Sequence, residues 1–543
     1  MKTPSISSLA PILLLIISCS WAASADDHDD FLECLSENFQ NYSTISNDVY
    51  TVANSSYTPI LQFSIRNLRF GSASTPKPQV IITPDHESQI PPIIYCARDN
   101  DLEIRTRSGG HDIEGLSYVS RVPFVIIDLI NLSEITVDAE NKTAWVEAGA
   151  TIGSLYYTIA EKSPILGFPA GFCPTVGVGG HFSGGGYGPL LRKYGLAGDN
   201  IIDARIIDVQ GRILDRKSMG EDLFWAIRGG GGASFGVITA WKVQLVDVPE
   251  TVTVFSVRRT SEQNATQLVH RWQDVAPKLD RDLLIAVTLN RVNYSGQEGR
   301  NATIQANFWS LFLGGADRLL PILQESFPEL GVLREDCIEM SWIESVLYFS
   351  EAPVIPPSQQ QPLEMLLNRT QPNLGSLKVK SDYVQKPIPE LGLQGIERLL
   401  YEAEIGSVVA MIPYGGRMAE ISESETPFPH RAANLYKIVG TVYWQGDEAR
   451  GSERYISWSR RYYSYMAPYV SSSPREAYLN YRDLDIGVNN VVGETSYEQA
   501  SVWGKPYYKD NFDRLVRVKT AVDPENFFRN EQSIPSLYSD KDD

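Results

Sequence analysis

Two histidines and one cysteine lie beside glycine-rich turns, and their side chains are well suited to chemistry. The segment Gly171–Gly188 has eight glycines in eighteen positions and carries Cys173 and His181. A second turn, Ser108–Gly110, is followed at once by His111. Glycine lets the backbone adopt positive φ and approach a ligand closely, and successive N–H groups then form anion-binding concavities. These turns leave open a site for the phosphates of a cofactor.

The segment Gly171–Gly188 has neither the composition of a linker nor the spacing of the common nucleotide motifs. Hydrophobic residues such as Phe172 and Val176 interleave with the glycines, and flexible linkers lack such residues. No glycine-lysine-serine/threonine ending is present, and Phe182 occupies the last glycine position of a Rossmann fingerprint. A cofactor bound here needs a fold other than those two.

The N-terminus predicts export. A basic start at Lys2, an apolar run Pro11–Ile17 and the small residues Ala23–Ala25 resemble a signal peptide over residues 1–25. No later segment is long enough to predict a membrane span, and the formal charge of −18 disfavours nucleic-acid partners. We predict a secreted glycoprotein of the apoplast or vacuole. Sequons for glycosylation begin at Asn41, Asn54, Asn131, Asn141, Asn264, Asn293, Asn301 and Asn368.

Four cysteines remain after removal of the signal peptide. An oxidising compartment favours a disulfide, and Cys34 and Cys96 both lie in the N-terminal part, so we pair them. We interpret Cys337 as a small buried residue. No metal site is predicted.

Hydrophobic periodicity predicts the elements that position these residues. Up to about residue 249, short strands alternate with helices, and Thr151 is a candidate N-cap for a helix ending at Lys162. From about residue 250 to 474, longer strands and helices alternate. The predicted strands are Gln79–Thr83, Glu103–Arg107, Pro123–Leu129, Thr143–Glu147, Ile201–Val209, Arg212–Leu214, Val237–Leu245, Leu283–Val292, Thr303–Phe312, Ser407–Pro413, Ala433–Tyr443 and a start at Tyr478; the predicted helices include Glu87–Arg98, Leu319–Phe327, Glu390–Glu404 and Lys509–Thr520.

Several motifs together resemble those of the plant berberine bridge enzyme-like flavoproteins, in particular the cannabinoid oxidocyclases. They are RTRSGGHDIEGLSY, GFCPTVGVGGHFSGGGYGPLLRKYGLAGDNIIDA, DLFWAIRGGGGASFG, ISESETPFPHRA, YLNYRDLDIG and VDPENFFRNEQSIP, and the resemblance runs from about Phe31 to Pro535. It implies an α+β, vanillyl-alcohol-oxidase/PCMH-type fold, in which an FAD-binding domain packs on a substrate domain with an antiparallel sheet and helices. The implied divisions are an N-terminal helical segment (26–73), the FAD-binding domain (74–249), the substrate domain (250–474) and a C-terminal segment (475–543) that completes the FAD-binding domain.

The resemblance also implies how FAD is held. His111 is expected to bond the 8α-methyl carbon of the flavin and Cys173 its ring carbon C6, which makes the flavin more oxidising. His181 is expected near N1 and the C2 carbonyl. Val176 is expected to leave oxygen a path, which favours an oxidase that releases hydrogen peroxide. The further expected cofactor-binding residues are Arg107, Ser108, Gly109, Gly110, Ser117, Gly177, Gly179, Gly180, Ser183, Gly184, Tyr187, Gly236, Ile238 and Asn480.

Substrate residues are implied in the same way. Tyr481 matches the tyrosine that acts as catalytic base, and Tyr414 matches a tyrosine of the substrate pocket. A tyrosine with the reference pKa of about 10 needs a neighbouring cation or polarised hydrogen bond to act near neutrality. The strand that contains Leu289 and Arg291 lacks the histidine of the cannabinoid synthases, so the substrate should differ, and these two residues are candidate contacts.

The resulting hypothesis is a monomeric, secreted bicovalent-FAD oxidase. It would take a hydride from a hydrophobic prenylated phenolic or similar plant metabolite, giving oxidative cyclisation or dehydrogenation through a diene or quinone methide. One alternative is an FAD-containing Diels–Alder cyclase with no net redox change. Others are a carbohydrate or monolignol oxidase in defence and a catalytically idle binding protein.

Overall fold

The computed structural model describes residues 29–39, 45–293, 302–351, 362–370, 375–403, 406–446 and 449–537. The predicted signal peptide and the predicted sequons at Asn41 and Asn301 lie outside these ranges. No helix in the described ranges is long and apolar enough to cross a membrane.

Two large sheets form the first unit of the chain, together with a two-stranded sheet of Leu166–Gly167 and Val246–Asp247. In the first, the order is β1-β2-β4-β3; β2, β4 and β3 run parallel, and β1 pairs antiparallel with β2. The second is antiparallel, with the order β5-β6-β10-β8-β9. The strands are β1 (Val49–Thr51), β2 (Val80–Ile82), β3 (Glu103–Arg107), β4 (Phe124–Asp128), β5 (Ile135–Asp138), β6 (Thr143–Glu147), β7 (Leu166–Gly167), β8 (Ile201–Ile207), β9 (Ile213–Leu214), β10 (Val237–Gln244) and β11 (Val246–Asp247).

Helices surround these sheets. The Thr151 side chain accepts a hydrogen bond from Ser154 N and caps α4, as its position predicts. The predicted disulfide Cys34–Cys96 is confirmed and joins α1 to α3, and Cys337 is free and buried as predicted. The helices are α1 (29–38), α2 (Tyr57–Phe63), α3 (Ile90–Asp99), α4 (Ile152–Lys162), α5 (Val178–Ser183), α6 (Leu191–Tyr194) and α7 (Arg216–Ile227).

A seven-stranded antiparallel sheet forms the second unit, in the order β15-β12-β14-β13-β17-β18-β16. Helices cover one face, where Trp272, Ile396 and Tyr462 pack on the sheet. The opposite face turns toward the first unit. The elements are β12 (Val252–Thr260), α8 (Ala265–Val275), β13 (Leu283–Asn293), β14 (Ala302–Phe312), α9 (Ala316–Ser326), β15 (Ile338–Met340), α10 (Trp342–Glu351), β16 (Ser376–Val384), α11 (Glu390–Glu402), β17 (Ser407–Pro413), α12 (Arg417–Glu420), β18 (Tyr436–Trp444) and α13 (Ala449–Met466).

The C-terminal segment returns to the first unit. Helices α14 (Tyr497–Tyr508) and α15 (Asn511–Val522) place Trp503 and Leu515 in the core that the first two sheets share. The buried Lys519 ammonium donates to the carbonyls of Ser234 and Phe528 and so fastens the segment there. One prediction is wrong here: Leu479–Tyr481 is a 3₁₀ turn and not a strand.

Candidate active site

A cavity of about 460 Å³ lies between the first unit, the C-terminal segment and the part of the seven-stranded sheet's opposite face that β16 and β18 form, which we call the helix-free face. The structure brings together here nearly all of the site residues that the sequence predicts. Those that line the cavity are Ser108, Gly109, Gly110, His111, Ser117, Cys173, Val176, Gly177, Gly179, Gly180, His181, Ser183, Gly184, Tyr187, Gly236, Ile238, Asn480 and Tyr481.

His111 and Cys173 meet at the hydroxyl of Thr175. The distance from Thr175 Oγ1 to His111 Nε2 is 2.9 Å, and that to Cys173 Sγ is 3.7 Å. Glycine is required before His111 because Gly110 has φ of +72° and a Cβ there would lie 1.8 Å from the Ser64 carbonyl oxygen. The cavity therefore has two nucleophilic side chains on one wall.

Burial sets the protonation of these two nucleophiles. It lowers the pKa of His111 to about 3, with a further contribution from the positive charge of Arg66, so the imidazole is neutral at physiological pH. Burial raises the pKa of Cys173, whereas its hydrogen bond to Thr175 and the charge of Arg66 act in the opposite direction. Arg66 was not predicted from the sequence; it lies in the chain before β2 and donates to the Gly109 carbonyl at 3.4 Å.

His181 has a defined tautomer. Its Nε2 accepts a hydrogen bond of 3.0 Å from Gly171 N–H. Burial, followed by the charge of Lys437, lowers the pKa of His181 to about 3. A neutral imidazole whose Nε2 is an acceptor carries its proton on Nδ1. His181 can therefore donate one hydrogen bond from Nδ1.

Three tyrosines and a lysine form a cluster at the other side of the cavity. The Tyr481 and Tyr187 hydroxyls share a short hydrogen bond, and Tyr478 packs edge-on to both rings. Lys437 Nζ lies 3.1 Å from the centroid of the Tyr187 ring, 4.1 Å from that of Tyr478 and 5.0 Å from that of Tyr481. Burial, with the neighbouring Tyr187, raises the pKa of Tyr481 well above its ordinary value. Burial lowers the pKa of Lys437.

Lys437 is a residue that the sequence analysis missed. It is fully buried in β18, and its side chain points to the helix-free face, because Tyr436 and Ile438 on either side pack against the helices. Its side-chain nitrogen has no hydrogen-bond partner in the described part of the chain. A lysine in a strand suggests a solvated edge, and only the strand pairing shows that this one faces the tyrosines.

The predicted substrate contacts Leu289 and Arg291 are wrong. Leu289 packs in the helix-facing core with Val287. Arg291 shares that face because side chains two apart in a strand point the same way, and its guanidinium donates to the carbonyls of Tyr401 and Ala403 at 3.1 and 2.9 Å. The layer of β13 itself separates both residues from the cavity.

Tyr414 and Arg107 also lie away from the cavity. Tyr414 is 1% exposed behind the tyrosine cluster, and its hydroxyl is 3.4 Å from that of Tyr383. Arg107 is fully buried, pairs with Asp128 at 2.6 Å and donates to backbone carbonyls of α2. Neither lines the cavity. Tyr414 is therefore a packing residue and Arg107 a structural ion pair, contrary to the predictions.

The remainder of the cavity fits a large cofactor with phosphates. A Cβ built on Gly180, at the start of α5, would meet nothing within 4 Å, so the backbone there is open to a ligand. The Ser117 hydroxyl is buried, lines the cavity and has no hydrogen-bond partner among the described residues. Both features suit the polar edges of a dinucleotide. No group of acidic residues, histidines and cysteines in the described ranges is arranged to hold a metal ion.

Comparison with known families defines the class of protein. Residues 78–216 match the family described as an FAD binding domain, and residues 477–535 match the family described as berberine and berberine like. The first match covers the strands and turns that form the cavity wall with His111 and Cys173. The second covers the segment with Tyr481. The protein is thus an FAD-dependent oxidoreductase.

Similarity over nearly the whole chain identifies the family. The chain is 52% identical to the tetrahydroberberine oxidase of Berberis wilsoniae over 531 residues, which are 97% of this chain and 98% of that protein. It is 50% identical to cannabidiolic acid synthase-like 1 of Cannabis sativa over 516 residues, 94% of each protein. The chain belongs to the berberine bridge enzyme-like family.

A solved structure confirms the fold class. Berberine bridge enzyme-like protein 28 from Arabidopsis thaliana superposes with a TM-score of 0.86 at 48% identity, over 94% of this chain and 100% of that chain. The predicted α+β, PCMH-type FAD-binding domain with an antiparallel substrate-side sheet is therefore correct.

Proposed function

We propose that the protein is an oxidase whose FAD is bonded covalently to His111 and Cys173 and which oxidises an apolar, phenolic plant metabolite. The observation that carries this proposal is the position of the two nucleophiles, which meet at Thr175 on a wall of the same cavity that Tyr481 lines. Bound there, FAD supplies the two-electron acceptor. Neutral His111 and the cavity-exposed Cys173 thiol are the groups that hold it.

The protein groups have distinct roles in the reaction. Tyr481 removes the phenolic proton of the substrate as a hydride leaves an allylic or benzylic carbon. Tyr187 holds the Tyr481 hydroxyl by its hydrogen bond. The Nδ1–H of His181 and backbone N–H groups of the glycine-rich turns stabilise negative charge that develops on the cofactor side of the cavity.

When it carries a proton, Lys437 would make Tyr481 a stronger acid. Its amine contacts the faces of the tyrosine rings, where a positive charge is attracted by the ring and by a tyrosinate oxygen. The amine can take up the charge that a buried tyrosinate needs, which solvent cannot supply. Lys437 would thus meet the requirement for a neighbouring cation in the state in which its amine carries the proton of Tyr481.

Replacing Lys437 with methionine should move the pH dependence of substrate oxidation. Methionine keeps the stem of the side chain but removes the amine, so Tyr481 can no longer ionise by giving its proton to Lys437 and must lose it to solvent, which makes the rate rise with pH. At a fixed pH on that rise, we expect the rate of anaerobic flavin reduction to fall about tenfold or more. Lys242→Met is the control, since Lys242 contacts Trp145 outside the cavity. An unchanged profile in Lys437→Met would remove the lysine from the mechanism.

Oxygen is the proposed electron acceptor. Val176 lines the cavity beside Cys173, and the resemblance implies that valine at this position leaves oxygen a path to the cofactor. We expect stoichiometric hydrogen peroxide from each turnover in air, measured by a peroxidase-coupled assay.

The lining of the cavity supports an apolar substrate. It includes the apolar side chains of Ile113, Phe172, Leu377 and Val379, and the hydroxyl-bearing residues Tyr443 and Thr441. Such a surface suits a prenylated phenolic. The relationship to a tetrahydroberberine oxidase favours a reduced aromatic alkaloid as a second candidate. Secretion, glycosylation and a monomeric state complete the proposal.

Anaerobic mixing tests the proposed function and separates its alternatives. A panel of prenylated phenols, tetrahydroberberine, monolignols and sugars is mixed with the purified protein, and the flavin absorbance is followed. Bleaching by a prenylated phenol supports the proposal, and bleaching by tetrahydroberberine alone supports the second candidate. Product formed with unbleached flavin indicates a redox-neutral cyclase, and bleaching by sugars or monolignols alone contradicts the proposed substrate class.

A further inference from the structure

Thr175 lies between the two residues to which the proposed function attaches FAD. The residue is 5% exposed, and its hydroxyl oxygen lies 2.9 Å from His111 Nε2 and 3.7 Å from Cys173 Sγ. One hydroxyl therefore contacts both nucleophiles. The mechanism above gives it no role.

The backbone around Thr175 fixes that hydroxyl in place. Val176 N donates to the Cys173 carbonyl at 3.1 Å and closes a turn over residues 173–176. The start of α4 holds the same turn, because Ile152 N donates to the Val176 carbonyl at 2.9 Å and Gly153 N to the Pro174 carbonyl at 3.0 Å.

The turn that carries Cys173 also touches the turn that precedes His111. A Cβ built on Gly109 would lie 2.3 Å from Gly177 N and 3.0 Å from the Thr175 carbonyl oxygen. The two backbones thus pack directly against each other, with no side chain between them. The hydroxyl of Thr175 is held against both nucleophiles by main-chain contacts.

One placement of the protons on Thr175 and His111 leaves both His111 and Cys173 in a nucleophilic form. A hydroxyl has one donor and two acceptor positions, and a neutral imidazole has one N–H and one lone pair. If His111 Nε2–H donates to Thr175 Oγ1, the lone pair of the imidazole is on Nδ1 and the Thr175 O–H is free to donate to Cys173 Sγ. A donor at that distance stabilises the thiolate, which is the nucleophilic form of cysteine. The guanidinium of Arg66, which donates a hydrogen bond to the Gly109 carbonyl, adds positive charge nearby.

We propose that Thr175 is a positioning residue for covalent flavin attachment, which aligns His111 and Cys173 and presents both as nucleophiles in one proton arrangement. The inference rests on the proposed bicovalent attachment. Each attachment replaces an N–H or S–H bond of the protein and a C–H bond of the flavin by a new N–C or S–C bond. Each attachment thus releases two hydrogens with their electrons, and these reduce one molecule of oxygen to hydrogen peroxide.

Attachment itself is the readout, and no substrate turnover is needed. Wild type, Thr175→Val and Thr175→Ser are produced with FAD under identical conditions. Peptide mass mapping then measures the fraction of His111 and of Cys173 that carries flavin. It is applied at purification and during incubation with added FAD in air. Valine has nearly the shape of threonine without the hydroxyl, so we expect attachment at both residues to be about tenfold slower in Thr175→Val. Serine keeps the hydroxyl and should match wild type within about twofold.

The outcomes separate this inference from the proposed function. If the wild-type protein lacks flavin on either His111 or Cys173, the proposed function is contradicted. If wild type has both bonds and flavin attaches equally in Thr175→Val, the inference is overturned but the proposed function stands. If Thr175→Val does not fold, Thr175→Ala replaces it, and if neither folds while Thr175→Ser does, the hydroxyl serves the fold and the inference is wrong.

Discussion

Tyr481→Phe is expected to slow reduction of the flavin by substrate about 10²- to 10⁴-fold, the usual contribution of a general base. Phenylalanine keeps the ring that packs edge-on to Tyr187 and Tyr478. The loss therefore reports the hydroxyl and not the packing. The measurement is anaerobic stopped-flow bleaching with a phenol that reduces the wild-type flavin.

Tyr383→Phe is the matched control for this prediction. Tyr383 is also a fully buried tyrosine near the helix-free face, and its hydroxyl contacts that of Tyr414 outside the cavity. In Tyr383→Phe, the substrate should reduce the flavin at a rate within a few-fold of the rate in wild type. Undiminished turnover in Tyr481→Phe would show that Tyr481 is not the base. Flavin attachment should be the same in both variants.

Arg192→Met is expected to give the largest loss of stability among single substitutions outside the cavity. Arg192 in α6 is 1% exposed, and its guanidinium donates to the carbonyls of Leu283, Pro277 and Asp280 at 2.9, 3.1 and 3.4 Å. Shorter bonds reach the carbonyls of Leu279 and Tyr414. This one side chain fastens the first unit to two loops of the second, and burial lowers its pKa to about 10.

Methionine would leave these carbonyls buried without their donor. Each unsatisfied buried group costs about 1–3 kcal/mol, and several lose their donor together, so the loss should be about 3–5 kcal/mol or more. Thermal unfolding followed by circular dichroism measures it. The control is Arg281→Met, because Arg281 pairs with Glu420 and both side chains are about half exposed; such surface pairs contribute about 0–1 kcal/mol. Equal melting temperatures for the two variants would contradict this account of Arg192.

The wall of the cavity with His111 and Cys173 could be predicted from the sequence through the family resemblance, because the motifs that carry the resemblance are continuous in the chain. His111 and Cys173 stand inside continuous glycine-rich turns, and the same turns supply the close backbone approach that the structure shows at Gly109 and Gly110. Residues within one turn remain neighbours whatever the rest of the chain does. The prediction of α4 from the Thr151 cap was correct for the same reason.

The substrate side could not be predicted in the same way because its geometry depends on strand register. In strand β13 the burial alternates around Leu289, but alternation alone does not show whether the buried face packs on the helices or on the substrate side. Lys437 and Tyr187 are far apart in the chain and meet only through the packing of the two units. The resemblance implies a cofactor contact for Arg107 because the residue lies in the glycine motif, yet the alternation of β3 turns its side chain to Asp128 and α2.

Acid precipitation of the purified wild-type protein, followed by peptide mass mapping, tests the central claim most directly. The account predicts a yellow pellet, a colourless supernatant and one flavin that links the peptide containing His111 to the peptide containing Cys173. A colourless pellet with all the pigment in the supernatant, or flavin on neither peptide, would contradict it.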